Sequence, residues 1–142
     1  MTEPKRLVLD ANILLRAVFG SRVSILLETH EASSSFYTPD ICFQDARKYI
    51  VVLSQSRELD PAVGLLALDE LSHLVETIDA SLYEAHESPA RERMRSRDVD
   101  DWPVVATALL FDCPVWTEDQ DFFGSGIATW TTSNVELYLR DA

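Results

Sequence analysis

The chain has 142 residues, 46% of them apolar and 25% charged, with 12 basic against 24 acidic side chains and a formal net charge of −12. That size fits one ordinary domain over residues 1–142, and the composition excludes a disordered or fibrous chain. The negative charge argues against a protein that coats DNA or RNA, but not against a nuclease, because acids gathered around divalent cations inflate the count.

No apolar run approaches the length of a membrane span, and Met1-Thr2-Glu3-Pro4-Lys5-Arg6 lacks a signal-peptide pattern. The expected compartment is the cytosol, with no membrane partner. Arg6-Leu7-Val8-Leu9-Asp10 reads as a buried strand ending on an acid, and in parallel sheets that end faces the binding crevice. Helices follow over 11–19, stopped by Gly20, and over about 22–31. Phe36-Tyr37-Thr38 is a second strand, and Pro39-Asp40 opens a helix to about Ser56. In it Cys42, Asp45, Ala46, Tyr49 and Leu53 form one stripe, which turns Asp45 toward the core and leaves Asp40 as an exposed helix-start acid.

Asp60-Pro61 starts the next helix, with Gly64, Leu65, Leu68 and Leu71 on its inner face. Val75–Ile78 is a third strand, followed by a helical segment from about Ala80 to Met94, interrupted at Ser88-Pro89. Arg91, Arg93, Arg95 and Arg97 cluster at its end; they either pair with Glu87 and Glu92 on a solvated face or contact RNA phosphates. Asp98, Asp100 and Asp101 then crowd ahead of an apolar helix reaching Asp112, where Asp101 shares a stripe with Val104, Val105, Ala108 and Asp112. Cys113–Thr117 is a further strand with Asp119 just past its end, 127–130 an edge strand, and Ser133 or Asn134 the cap of a last helix. Strands alternate with helices, so the fold class is α/β, a mostly parallel sheet of four or five strands flanked by helices.

Four acids therefore occupy inward or crevice-facing places: Asp10, Asp45, Asp101 and Asp119. Each alone reads as a helix cap or strand-end turn. Together, without nearby His or Cys, they form a hard oxygen set that selects Mg²⁺ or Mn²⁺ and a phosphodiester or nucleotide substrate. Cys42 and Cys113 match no ligand spacing and read as buried free thiols; His30, His73 and His86 are scattered. Trp102, Trp116 and Trp130 are expected in packing rather than in base stacking.

The chain resembles the PIN-domain nucleases nearly end to end, through Leu9-Asp10-Ala11-Asn12, Asp45-Ala46, Arg97-Asp98 to Asp101-Trp102-Pro103 with Ala106 and Ala108, and Trp116-Thr117-Glu118-Asp119-Gln120-Asp121-Phe122. The resemblance implies a metal-dependent ribonuclease, commonly the toxin of a toxin-antitoxin pair and often a homodimer. Asp10, Asp45, Asp101 and Asp119 would hold the ion, Asn12 and Thr117 would hold carboxylates or the scissile phosphate, and Asp98 and Asp121 would act at one remove. The family usually has Glu where this chain has Asp45. That shorter side chain and the negative charge favour the alternative of a PIN-like binding or assembly module that has lost catalysis. Other acid-bearing α/β folds fit less well: the only lysines, Lys5 and Lys48, sit at no late strand end as a phosphoacceptor needs, Asp10-Ala11-Asn12 is not the Asp-x-Asp of a phosphatase, and no dinucleotide-binding glycine fingerprint exists.

Overall fold

The structure, a computed structural model, describes residues 4–140. Its centre is β1 (Lys5–Leu9), whose Leu7, Val8 and Leu9 have no exposed surface, as a strand covered on both faces requires. Five strands run parallel in the order β3-β2-β1-β4-β5, with β2 at Ser34–Pro39, β3 at Val75–Ile78, β4 at Val115–Trp116 and β5 at Thr129–Trp130. On one side β1 pairs with β2 from Lys5↔Ser34 to Val8↔Tyr37; on the other it pairs with β4 at Val8↔Val115 and Leu9↔Trp116. The chain thus winds outward through β2 and β3, then returns to build β4 and β5 on the opposite edge of β1. The reversal leaves a crevice beyond the carboxyl ends of β1 and β4, where open α/β sheets bind ligands.

The flanking helices are α1 (Ala11–Phe19), α2 (Arg22–His30), α3 (Asp40–Ser56), α4 (Pro61–Leu71), α5 (Ala80–Tyr83), α6 (Glu87–Arg93), α7 (Trp102–Phe111) and α8 (Val135–Leu139). Helices α1, α3 and α4 pack on one another, and Gly64 lets α4 approach so closely that a Cβ there would stand 2.7 Å from Ile50 Cγ2. Helix α7 lies against β1 and β2, with α5 and α6 beside it. Among the described residues no helix is long and apolar enough to cross a membrane.

Three expectations about the helices need correction. In α3 the buried stripe is Cys42, Ala46, Ile50 and Ser54, four residues apart, while Tyr49 is 55% exposed and Asp45 lies half-buried at the stripe's edge. In α7 every residue from Pro103 to Ala108 is buried, so a stripe has little meaning there; Asp112 is exposed and closes the helix in the left-handed conformation at φ 51°. The break after α5 is a 3₁₀ turn at Glu84–His86, ahead of Ser88-Pro89; Pro89 falls in the first turn of α6, where its missing N–H costs nothing.

Of the tryptophans, Trp116 is wholly buried and tilted against Phe36 at 6.4 Å between ring centres; Trp102 and Trp130 are half-buried against Tyr83 and Tyr138. Cys42 and Cys113 are free thiols. Asp40 begins α3 as expected, accepting from the Ile41 amide at 2.8 Å, and it also ties α3 to α5. The Tyr83 hydroxyl donates to it at 2.6 Å and the Ala80 amide at 3.1 Å.

Candidate metal centre

The β1–β4 register that pairs Leu9 with Trp116 brings the next residues, Asp10 and Thr117, face to face across the crevice. Asp10 is 8% exposed and caps α1: its Oδ1 accepts from the Ile13 amide at 3.0 Å, and its Oδ2 accepts from the Thr117 hydroxyl. Thr117 Oγ1 in turn accepts from the Asp119 amide at 2.9 Å, and Asp119 Oδ1 accepts from the Asp121 amide at 2.9 Å. A relay of short bonds therefore fixes the post-β4 segment against the end of β1. Burial pushes the Asp10 carboxyl up to about 6; the bonds from Thr117 and Ile13 work against this, and the charges of Asp119 and Glu118 add to it.

The second half of the cluster comes from the turn before α7. Asp98 caps a 3₁₀ turn at Val99–Asp101, accepting from the Asp100 amide at 3.1 Å. In such a turn residues three apart eclipse one another, which stacks Asp98 over Asp101. Asp101 makes no capping hydrogen bond and is half-buried. Its carboxyl is pushed up to about 7, first by burial and then by the charges of Asp98, Asp119, Asp10 and Asp121. Carboxylate oxygens of Asp98, Asp101 and Asp121 all lie within 4.8 Å of one another. Oxygens on opposite sides of a magnesium ion stand about 4.2 Å apart, twice a bond length of roughly 2.1 Å, so this donor set fits a small hard cation with little movement.

Of the four expected ligands, only Asp101 belongs to the tight group of three carboxylates; Asp10 and Asp119 stand near enough for their charges to act on it. Asp45 is also outside that group, and its charge acts on the buried thiol of Cys42, which Asp10 and Asp101 also reach. Asp98 and Asp121, expected at one remove, belong to the tight group. Helical spacing drawn from Asp101 onward could not show this, whereas the three-residue spacing from Asp98 to Asp101 in a 3₁₀ turn could. Asn12 is exposed on the first turn of α1 and lines a neighbouring pocket, while Thr117 is fully buried beneath Asp10. Glu118, to which the sequence assigns no role, accepts through Oε1 from the Thr132 amide at 2.7 Å and anchors the segment after β5 to the site.

The four clustered arginines are engaged within the chain. Arg91 pairs with Glu87 at 2.6 Å and lies over Trp102, and Arg95 pairs with Glu92 at 3.4 Å. Arg93 Nη1 donates to the Ser125 carbonyl at 2.9 Å and Arg97 Nε to the Phe123 carbonyl at 2.7 Å. Gly124 and Gly126, at φ 84° and 85°, leave room for these two guanidinium groups, and a Cβ at either would collide with them. Arg93 and Arg97 thus clamp the loop that follows Asp121. Backbone carbonyl partners leave no mark in the sequence, which is why the cluster reads there as free charge.

The PIN domain family model matches residues 8–140. No curated protein matches the sequence. The fold resembles a chain in the crystal structure of VapBC2 from Rickettsia felis bound to a DNA fragment from their promoter, with TM-score 0.67, 14% identity and coverage of 89% of this chain and 98% of that one. It also resembles PAE2754 from Pyrobaculum aerophilum, with TM-score 0.73, 11% identity and coverage of 98% and 91%. A chain of a toxin-antitoxin complex from Klebsiella pneumoniae matches with TM-score 0.60, 20% identity and coverage of 89% and 97%.

Proposed function

The chain belongs to the PIN-domain family, and from that premise we propose that it is a metal-dependent ribonuclease of the toxin type, hydrolysing phosphodiester bonds of RNA with Mg²⁺ or Mn²⁺. The observation that carries this reading is the meeting of Asp98, Asp101 and Asp121 within 4.8 Å, beside Asp10 and Asp119, at the reversal point of the sheet. Carboxylates this close oppose one another's ionisation, and a divalent cation removes the conflict. A hard, all-oxygen set with no His or Cys in it favours Mg²⁺ or Mn²⁺ over zinc.

Asp101 would be the central ligand, since it spends neither oxygen on a capping bond. Asp98, Asp121, Asp10 and Asp119 would complete or support the set, and Asp45 would act from α3 at longer reach. When bound, the ion would lower the pKa of a water and neutralise charge on the leaving oxygen. The chain's own work is positioning. Thr117 holds the Asp10 carboxylate by a hydrogen bond, the Thr117–Asp119–Asp121 relay fixes the far wall, and Asn12 stands at the rim where a phosphate oxygen would need a donor.

Likeness to a chain of a toxin-antitoxin complex supports an antitoxin as protein partner, and we include homodimerisation and a cytoplasmic setting in the same reading. One observation favours a second reading, a binding module without catalysis: Asp45, one methylene shorter, stands where the family usually has Glu. Incubation with single-stranded RNA across a Mn²⁺ and Mg²⁺ titration separates the two. Cleavage that requires the ion and disappears in Asp101→Asn supports the hydrolase. Intact RNA at every ion concentration leaves only the module.

A further inference from the structure

Beside the acid cluster lies a second cavity, of about 500 Å³, between α1, the start of α2, the end of α3 and Thr132. It is bordered by Asn12, Arg16, Phe19, Arg22 and Arg57, and no acidic side chain lines it, in a chain with 24 acids against 12 bases. Resting on the reading of the chain as a ribonuclease, we propose that this cavity binds the phosphodiester backbone of the single-stranded RNA that flanks the bond being cut, with Arg16, Arg22 and Arg57 as its phosphate contacts.

Position comes first. Asn12, Leu15, Arg16 and Phe19 fall three and four residues apart and form one face of α1, the helix whose cap is Asp10. Seven residues of helix, from Asn12 to Phe19, carry that face roughly 10 Å away from the acids. On the other wall Thr132 receives the Trp116 indole N–H at 3.1 Å and gives its own amide to Glu118, the residue before Asp119. Asn12, two residues after Asp10, and Thr132, bonded to Glu118, therefore tie the cavity to the two segments that carry the metal centre.

Charge comes second. Arg91, Arg95 and Arg47 pair with Glu87, Glu92 and Asp69 respectively, and Arg93 and Arg97 are bonded to loop carbonyls. Among the described residues Arg16 and Arg57 make no ion pair, and Arg22 makes a long one of 3.6 Å to the exposed Glu136. Arg57 Cζ lies 4.9 Å from the centre of the Phe19 ring, which pairs a cation with an aromatic face of the kind on which a base can stack. Arg16 and Arg57 without ion pairs, a weakly paired Arg22 and the Phe19 ring are the kind of surface that single-stranded nucleic acid uses. An acidic peptide would satisfy the charge but not the stacking surface.

The test is fluorescence anisotropy of the full chain in EDTA with a labelled single-stranded RNA 12-mer, at several salt concentrations, with an oligoglutamate peptide of the same length as comparator. RNA is expected to bind with an affinity that falls with salt. Arg16→Ala and Arg57→Ala are each expected to weaken it severalfold and to lower the slope of log affinity against log salt by about 0.7. Arg57→Lys keeps the salt slope but not the stacking, while Arg95→Ala leaves affinity within about twofold. Absence of RNA binding, affinity unmoved in both alanine variants, or peptide binding that equals RNA binding with the same arginine dependence each overturns the proposal. Failure of the hydrolase reading looks different: arginine-dependent binding without Mn²⁺-dependent cleavage. Conversely, cleavage with KM unchanged in Arg16→Ala and Arg57→Ala keeps the hydrolase and removes the subsite.

Discussion

Asp10→Asn makes the metal-free protein more stable at neutral pH, although it deletes a buried, doubly hydrogen-bonded side chain. Asp10 ionises near 6 in the fold against 3.8 for an ordinary aspartate. Between those values the folded chain holds a proton that the unfolded chain has released, so stability falls as pH rises through the interval. Above about 6 the full cost is present, about 3 kcal/mol at roughly 1.4 kcal/mol for each tenfold change in proton activity. Below about 4 it is gone. Asparagine removes this cost but disturbs the relay. Its Oδ1 still accepts from Ile13, whereas its Nδ2 must donate to Thr117 Oγ1, which already accepts from Asp119 and then loses its own acceptor. The lost bond is worth about 1 kcal/mol.

The net expectation is a variant more stable by about 2 kcal/mol at pH 7.5, with a smaller advantage at pH 5, where about half of the ionisation cost remains. Urea unfolding in EDTA at the two pH values measures it through the shift in midpoint at constant slope. Added Mn²⁺ reverses the order, because it stabilises the wild type more than the variant. An Asp10→Asn protein less stable than wild type at pH 7.5, or a difference between the two proteins that does not change with pH, would refute the burial cost.

Three further outcomes are expected. Gly126→Ala forces alanine into the left-handed region at φ 85° and against the Arg93 guanidinium. It costs about 2 to 3 kcal/mol in urea unfolding and less in an Arg93→Ala background, so a double-mutant cycle that closes additively would refute the clamp. Tyr83→Phe removes a buried hydroxyl's bond to the Asp40 carboxylate and lowers stability by about 1.5 to 3 kcal/mol, read from the thermal midpoint with far-ultraviolet dichroism. Asp98→Asn and Asp121→Asn each weaken Mn²⁺ binding by roughly 10- to 100-fold in electron paramagnetic resonance titrations, while Asp112→Asn, exposed at the far end of α7, leaves it unchanged.

Most of the fold was legible because the signals were local. The apolar run at Leu7–Leu9, the proline-acid starts at Pro39-Asp40 and Asp60-Pro61, and the alternation of strand and helix each depend on neighbouring residues. The errors arose where burial ceased to follow one helical face. Helix α7 is buried along the whole of Pro103–Ala108, so periodicity placed Asp112 inside with Asp101, whereas only Asp101 is held there, by the turn that precedes the helix. In α3 the stripe advances by four residues from Cys42 to Ala46 and Ile50, leaving Asp45 at its edge and Tyr49 in solvent. Partners distant in sequence were also hidden. Asp40 looked like a helix-start acid because Tyr83 is 43 residues away, and Arg93 and Arg97 looked unoccupied because they bond main-chain oxygens.

Reading the acids as helix caps and reading them as ligands turn out to be compatible. Asp98 and Asp119 each commit Oδ1 to a nearby backbone amide and leave Oδ2 uncommitted, and Asp10 is held through both oxygens. These bonds tie the carboxylates to the chain's own amides and to the Thr117 hydroxyl. Asp101 is the exception. It has no such bond, and no hydrogen bond to its carboxylate offsets burial and the four surrounding acids. The capped acids therefore supply a rigid frame, and Asp101 is the side chain whose ionisation depends most on what occupies it. Mutating Asp98 or Asp119 should disturb folding and ion binding together, whereas mutating Asp101 should abolish ion binding while leaving stability at neutral pH unchanged or raised.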